Sequence, residues 1–282
     1  MIQIANLNPI RLRDQHDFMY QNDCYFQKWQ SGDMINIQFM ADEVFTVDIF
    51  SFEFGYKVLS VPIYQQQTNL IDVDFNVYEI SFSVNDLPDF GKYFFRIKNS
   101  DGMLFDSHPF VYGPYFENTI LLRYYHSEND FNVIFETGIE FYVRVEGAVH
   151  NYSPKIDGDI YFDQKYDPTM LTSESYKTFV FQAGGNRGIP VWMADIVNEA
   201  FSCDNKKINN IFIERIEGAD WEVYRFDNYS LIGISLEIVK SGDNDSGQIL
   251  KTNYVLANSV SELVTNKGNK IYINNLFLIS DL

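Results

Sequence analysis

The stretch VFTVDIFSFEFGY, residues 44–56, alternates apolar and polar side chains, as half-buried β-strands do. Apolar residues occupy odd positions from Phe45 to Ile49 and even positions from Phe50 to Phe54. Because successive strand residues point to opposite faces, this slip predicts either a β-bulge or a strand that is covered on both faces.

Short segments of the same apolar character surround this stretch at regular intervals. Several strands divided by turn signals are typical of a β-sandwich, and aromatic and β-branched residues favour strands. We therefore predict a sandwich over residues 28–115. Its other strands fall within residues 33–42, 56–64, 75–84 and 92–98, with a closing hairpin around Asp101-Gly102.

A more specific pattern follows in LPDFGKYFFRI, residues 87–97. The spacing of Leu87, Gly91 and Tyr93 resembles the turn into a late strand of fibronectin type III and other immunoglobulin-like sandwiches. In those domains a tyrosine hydroxyl bonds back to the backbone at a corner, and the resemblance gives this role to Tyr93. The alternative role for Tyr93 is stacking on a ligand.

Domain boundaries are placed where the alternation stops. Residues 1–27 mix Asn, Pro and charges, and we interpret them either as an arm that docks on a neighbour or as a strand or loop covering the sandwich. Gly113-Pro114 ends the sandwich. Residues 116–282 are predicted as a second β-rich domain with one amphipathic helix, in which FNVIFE (131–136) is a returning strand and 157–167 a polar loop. The expected fold class is mainly β.

The glycines of GGNRGIPVWMADIVNEAF, residues 184–201, raise the question of a phosphate site. Neither the spacing of a P-loop, with its Lys and Ser/Thr, nor that of a dinucleotide-binding turn is present. Pro190 suits the first turn of a helix. Apolar residues then recur at helical spacing, so we predict a strand-to-helix turn and a helix near 190–201 that packs on the sheet. Arg187 is a solvated loop residue or a ligand for a partner carboxylate.

Composition limits the functions that the chain can have. Its net charge of −18, over 282 residues, disfavours nucleic acid and anionic membrane surfaces as partners. The N-terminal residues do not have the pattern of a secretory signal, and no run is apolar enough for a transmembrane helix. Cys24 and Cys203 suggest neither a disulfide framework nor a zinc site, which indicates folding in a reducing cytoplasm.

Residues that could carry chemistry are scattered. The four histidines lack metal-binding spacing, and we interpret His126 as a turn residue, with a base oriented by Asp130 as the alternative; the others are His16, His108 and His150. The stretches at 157–159 and 242–247 are interpreted as acidic loops, with calcium binding as the alternative, and the second lacks EF-hand spacing. A glycosidase pair could be drawn from Glu136, Glu140 and Glu146, but strand glutamates are ordinary. We expect no catalytic, cofactor-binding or metal-binding residues, and no enzymatic activity.

A longer pattern spans residues 119–217 and includes a Y-x-x-S-x-N-x-F strand pair, an RVEG strand and a glycine turn into GIPVW. It resembles virion proteins of tailed phages and prophages of gut Bacteroidetes, in which an immunoglobulin-like module precedes this region. The residues that carry the resemblance are Tyr125, Asn129, Phe131, Phe135, Arg144, Val145, Glu146, Gly147, Gly188, Pro190 and Trp192.

The resemblance implies a structural protein of the phage tail or neck. Such a protein would assemble in the host cytoplasm, contact other copies in a ring and bind neighbouring virion proteins. Two alternatives remain open on the residues alone. One is a carbohydrate- or receptor-binding module, favoured by clustered exposed aromatic residues beside Asp or Asn. The other is a hydrolase, which requires two carboxylates in one cleft.

Overall fold

The computed structural model confirms a mainly β fold, and its described part contains one α-helix. It describes residues 2–14, 25–42, 45–66, 76–99, 102, 104–130, 132–157, 160–162, 166, 168–170, 174–185, 187–216, 218–225, 230–240, 262–264, 270–274 and 277–279. Backbone contacts divide the chain into two compact units, Met1–Asp243 and Asn244–Leu282.

The first half of the larger unit consists of two sheets around one core. Their strands are β1 (Ile2–Ile4), β2 (Leu12–Asp14), β3 (Gln27–Gln30), β4 (Met34–Ala41), β5 (Phe45–Ser51), β6 (Lys57–Val61), β7 (Tyr64–Gln66), β8 (Asn76–Ser83), β9 (Gly91–Asn99), β10 (Leu104–Ser107) and β11 (Phe110–Gly113). One sheet has the order β1-β4-β8-β7. The other has the order β2-β10-β9-β11-β3, with β5 and β6 joined through β9. Inward-facing apolar residues of both sheets form a single cluster.

One local prediction in this half is confirmed and another is not. The predicted bulge is not in β5: its pairing with β6 shifts register between Ile49 and Phe50, but the extra residue, Val58, lies in β6, and β5 pairs with β9 without a break and keeps its odd residues buried through Ser51. The Tyr93 hydroxyl donates to the Asp89 carbonyl oxygen at 2.8 Å, which is the predicted corner bond. Because Tyr93 is 5% exposed, it is a packing residue rather than a stacking platform. The strand nevertheless ends at Ser51, earlier than the sequence pattern suggests, and residues 52–54 form a turn.

The N-terminal segment belongs to both cores. Ala5 and Leu7 are buried in the second core, whereas Ile10 and Leu12 are buried in the first. Strand β1 pairs with β4, and β2 pairs with β10. The described part of the predicted arm therefore packs within its own chain, as the second of the two interpretations had it.

The second half is built around a sheet that closes on itself. Its strands are β12 (Thr119–Tyr125), β13 (Phe141–Asp157), β14 (Ile160–Phe162), β15 (Pro168–Met170), β16 (Glu174–Ala183), β17 (Asn205–Ile208), β18 (Ile211–Arg215), β19 (Glu222–Arg225) and β20 (Ile232–Lys240). The order β16-β13-β12-β17-β18-β20 is closed by pairing of β20 with β16. β19 pairs with β20 beyond the end of β18.

The predicted helix is present as α1 (Val191–Ser202), with Pro190 as its N-cap residue. Pro190 has extended backbone angles and its carbonyl accepts from Met193 and Ala194, so it precedes the first turn rather than lying in it. The predicted apolar stripe, with Trp192 and Ala194 beside it, is buried in the core of the closed sheet. Burial of this face stabilises a helix of only 12 residues, which would be marginal alone in water.

Two predictions in this half are wrong. FNVIFE is no returning strand: its described residues 132–136 form an isolated bridge and then enter a 3-10 turn, and β12 instead pairs with β13. The positive φ of Asn132 and of Gly138 interrupts the extended backbone on either side. The predicted polar loop at 157–167 contains β14, which pairs with β15.

The smaller unit, Asn244–Leu282, contains an antiparallel sheet of β21 (Glu262–Val264), β22 (Lys270–Asn274) and β23 (Phe277–Ile279). The segment YVLANSV, which the sequence suggested as a strand, lies outside the described residues. The predicted domain limits at 115 and 282 remain predictions. Along the chain, Tyr112 is the last residue of the first core, and the next core residue, Ile120, belongs to the second core.

Candidate functional site

The glycine turn at 184–188 serves the packing of the closed sheet. A Cβ at Gly184 would approach the Ile232 carbonyl oxygen to 2.7 Å, and one at Gly188 would approach Leu231 Cβ to 2.7 Å. The N–H groups of Gly184 and Ile189 donate to the carbonyls of Glu146 and Ile232. These donors are therefore engaged within the protein rather than turned toward an anion, which supports the structural interpretation of the turn. Arg187 is exposed there.

A buried ion pair joins the two halves. Asp33 lies between β3 and β4, and Arg144 lies on β13. The guanidinium donates twice to the carboxylate, with Nε–Oδ2 at 2.6 Å and Nη2–Oδ1 at 2.7 Å, and a third time to the Thr119 hydroxyl. Both side chains are less than a tenth exposed. A two-pronged contact of this kind fixes orientation as well as distance.

A second polar contact lies beside it, at the buried amide of Gln38 on β4. Its Oε1 accepts from the Ile134 backbone N–H at 2.7 Å, and its Nε2 donates to the Ile134 carbonyl and to Glu79. The Gln38 backbone is in turn bonded on both sides by the amide of Asn8. One hydrogen-bond network thus connects the N-terminal segment with both halves of the larger unit.

Aromatic and charged contacts extend this junction toward α1. Lys28 pairs with Glu146 at 2.6 Å. Trp192 meets Tyr25 and His108 edge to face, with ring centroids 6.1 and 4.9 Å apart. Burial, with a smaller effect of Glu146, raises the pKa of Tyr25 far above its usual range. Arg144, Glu146 and Trp192 of the second half thus each contact a residue of the first half.

The junction also contains buried polar atoms without hydrogen bonds to any described residue. They are the Tyr25 hydroxyl, the Trp192 indole nitrogen and both ring nitrogens of His108. His108 contacts the Trp192 ring edge to face, and both of its ring nitrogens are buried. We name the contacts of Asp33–Arg144, Gln38, Lys28–Glu146 and Trp192 the inter-core junction.

A cleft of about 280 Å³ opens beside this junction, lined by Asn36, Glu79, Ile80, Ser81, Thr137, Gly138, Ile139, Glu140 and Tyr142. Glu79 accepts from Gln38, Gln66 and Thr137. Glu140 accepts both arms of Arg123 and the Tyr142 hydroxyl. The two carboxylates that face this cleft are therefore both engaged by donors of the chain, which leaves neither arranged as a general acid.

The three glutamates of the hypothetical glycosidase pair have separate partners. Glu136 bonds to Asn129, Glu140 to Arg123 and Glu146 to Lys28. They are tied to three different neighbours, each of which has a structural role. The geometry therefore gives no support to a pair assembled from these residues.

A second cleft, of about 330 Å³, lies between the N-terminal segment and α1. Asp195 and Glu199 line it one helical turn apart, together with Arg11 and Trp192. Burial raises the pKa of Glu199, and the negative charge of Asp195 adds to the effect. Within the described ranges no group of three His, Cys, Asp or Glu side chains is placed to hold a metal ion.

The remaining candidates occupy structural positions or are not described. His126 accepts the Glu128 backbone N–H in its turn, at 3.1 Å, and His150 lies half-buried on β13. Burial raises the pKa of the Cys203 thiol to about 12, so it is not a reactive thiolate at neutral pH. His16, Cys24, residues 158–159 and the loop 242–247 lie outside the described residues.

One exposed feature was not predicted as a site: the turn that follows the opening stretch. Phe52, Phe54 and Tyr56 are 47%, 74% and 58% exposed. The rings of Phe54 and Tyr56 are nearly parallel, with an interplanar angle of 20° and centroids 5.9 Å apart. The sequence signal for this turn was the apolar spacing of Phe52 and Phe54 after Ser51. This spacing was interpreted as a continuing strand.

Comparison with protein-family models and with curated proteins finds no match for this chain. Among the described residues, no helix has the length and apolar character needed to span a membrane.

Proposed function

We propose that this chain is a structural protein of a tailed-phage virion that forms a ring or adaptor in the tail or neck. The observation that carries the proposal is the place of the resembling residues. Arg144, Glu146 and Trp192 brace one half of the larger unit against the other, as expected of a motif selected for assembly rather than for turnover. The chain would act without catalysis, after assembly in the host cytoplasm.

The first half is, on this proposal, the immunoglobulin-like module that the resemblance places before the motif region. Two sheets sharing one core and the corner bond of Tyr93 support it. Within this half, β11 and β3 pair in parallel.

The buried junction supports an adaptor because it fixes one half of the larger unit against the other. A ring subunit transmits force between neighbours, and hinge motion between its halves would dissipate that force. Charged groups that lie in a low-dielectric junction resist separation, since parting them leaves each one unpaired. Copies would associate head to tail, because a heterologous contact that closes by rotation gives a ring.

The test is the composition and structure of purified particles of the phage or induced prophage that encodes this chain. We expect the chain in stoichiometric amounts by mass spectrometry, and a ring at the tail or neck in an electron-microscopy reconstruction. Intact, infectious particles that lack the chain would overturn the proposal.

A further inference from the structure

The backbone of the turn Ser51–Tyr56 is held by hydrogen bonds. The Ser51 N–H donates to the Tyr56 carbonyl at 3.0 Å, and the Gly55 N–H donates to the Ser51 carbonyl at 2.9 Å. Phe52 is further tied to β9 through the Lys92 carbonyl, at 2.9 Å. Gly55, with φ of 68°, supplies the left-handed residue that closes the turn. The rings are therefore displayed on a rigid support.

Three aromatic residues within five positions of this turn are exposed, whereas Tyr64 and Phe90, the other exposed aromatic residues among the described part of the first half, lie apart from it in sequence. Phe54 is 74% exposed and its nearly parallel neighbour Tyr56 is 58% exposed. Phe52 contacts Phe26 edge to face, which orients its ring beside them. Large apolar rings held in water mark a binding surface, since a single exposed ring needs no explanation but a rigid set does.

Charges beside the rings occur in compensated pairs. Glu53 pairs with Lys92 at 3.5 Å, and Asp48 pairs with Lys57 at 2.7 Å while accepting from the Ser60 hydroxyl. In a chain of net charge −18, each of these two carboxylates has an ammonium partner. Such pairs can donate to and accept from hydroxyl groups without attracting an ion of either sign.

We propose that this turn is a binding site for a neutral polysaccharide. The apolar face of a pyranose ring packs on an aromatic ring, and its equatorial hydroxyls reach polar groups at the rim. Phe54 and Tyr56 provide the ring faces, and the Glu53–Lys92 and Asp48–Lys57 pairs provide the rim. Rings confined to one six-residue turn offer too small an apolar area for a stable protein interface, which buries about 800 Å² on each partner. The inference goes beyond the structural role and does not depend on it.

The experiment uses the full chain in native gels cast with soluble neutral polysaccharides: dextran, mannan, a mixed-linkage β-glucan and arabinoxylan. We expect at least one polymer to retard the chain, with the shift unchanged by salt because no net charge is involved. The double variant Phe54→Ala/Tyr56→Ala should raise the dissociation constant about tenfold or more, since the two lost ring contacts are together worth about one decade or more.

The matched control is Tyr64→Ala, which removes a 54% exposed tyrosine from β7, outside the turn. Its retardation should equal that of the unmodified chain. No retardation by any of the four polymers, with no binding on a broad glycan array, would overturn the proposal. So would retardation that survives the double variant.

A third outcome separates a protein partner from a glycan. If the double variant changes the sedimentation coefficient of the chain, the turn is a contact between copies and the glycan site is refuted. Particle composition is measured independently, so loss of this proposal leaves the virion proposal standing, and the reverse also holds.

Discussion

The inter-core junction and the turn at 51–56 use similar side chains in opposite surroundings. At the junction, Arg144 and Asp33 are almost fully buried and are bonded to each other. At the turn, charged pairs remain in water and aromatic rings lie open to it. Burial makes the first set costly to disturb and leaves the second set nearly independent of folding. The difference teaches that stability and recognition can be separated within this chain by substitution.

The largest effect is expected at the buried pair. Arg144→Ala should lower the free energy of unfolding by about 3–5 kcal/mol, because it leaves the Asp33 carboxylate buried without its partner. Chemical denaturation with fluorescence detection measures this loss. The double variant Asp33→Leu/Arg144→Met should lose much less, as it removes both charges. Equal losses in the single and double variants would show that packing, not charge pairing, governs the site.

Gly188→Ala should follow, with a loss of about 2 kcal/mol from an unfavourable positive φ and crowding against Leu231. Gly185→Ala is the matched control, because its Cβ would meet nothing within 4 Å although its φ is also positive. Thermal denaturation of the two variants separates crowding from backbone strain. A similar loss in both would contradict close packing as the reason for Gly188.

Tyr93→Phe should cost about 1 kcal/mol, the usual value of one hydrogen bond, because only the bond to the Asp89 carbonyl is lost. Denaturant unfolding measures the difference. Tyr112→Phe is its control on the neighbouring strand, since that hydroxyl bonds to the side chain of Asn85 instead of to a backbone corner. An unchanged denaturation midpoint for Tyr93→Phe would show that the corner bond does not stabilise this half.

A smaller, pH-dependent effect is expected on the surface. The hydrogen bond from Lys155 lowers the pKa of Glu237, with a further contribution from Thr178. Because the folded pKa is depressed, the stabilisation is complete above the ordinary glutamate pKa and is lost as pH falls through the lowered value. The pair is about one-third exposed, so Glu237→Gln should cost less than ~1 kcal/mol at pH 7, and this cost should shrink as pH falls below the ordinary glutamate pKa. A difference in unfolding free energy between Glu237→Gln and the unmodified chain that grows at low pH would contradict this prediction.

The smallest effect is predicted for Phe54→Ala/Tyr56→Ala, whose unfolding free energy should stay within about 0.5 kcal/mol of the unmodified chain. The same denaturation curves serve as the measurement. A loss comparable to that of Tyr93→Phe would mean that these rings stabilise the fold, and the contrast between the two regions would disappear.

Local features of this fold could be predicted from the sequence, whereas long-range ones could not. The corner at Tyr93 and the stripe of α1 each depend on residues a few positions apart. Period two failed at 131–136 because Val133 and Phe135 enter the second core from a bridge and a turn, while Ile134 contacts Met40 and Val77. Val133, Ile134 and Phe135 are all buried, in two different clusters, so burial there does not alternate as it does in a half-buried strand.

The inter-core junction was missed for the same reason. Asp33 and Arg144 are 111 positions apart, and each appears ordinary in its own segment. A weak signal existed on β4. Gln38 and the apolar Met40 lie two positions apart, so they share the strand face opposite Ile35 and Ile37. An apolar residue on an otherwise polar face indicates that the face is covered, but nothing local shows by which part of the chain.

The N-terminal segment has a consequence for the order of biosynthesis. Ala5 and Leu7 leave the ribosome long before Ile234, Leu236 and Ile238, with which they share a core. The Tyr124 hydroxyl that bonds to the Leu7 carbonyl is also made more than a hundred residues later. These early residues must therefore wait for most of the chain to be translated. A tag fused directly before Ala5 and Leu7 would therefore interfere with a late step of folding rather than with an early one.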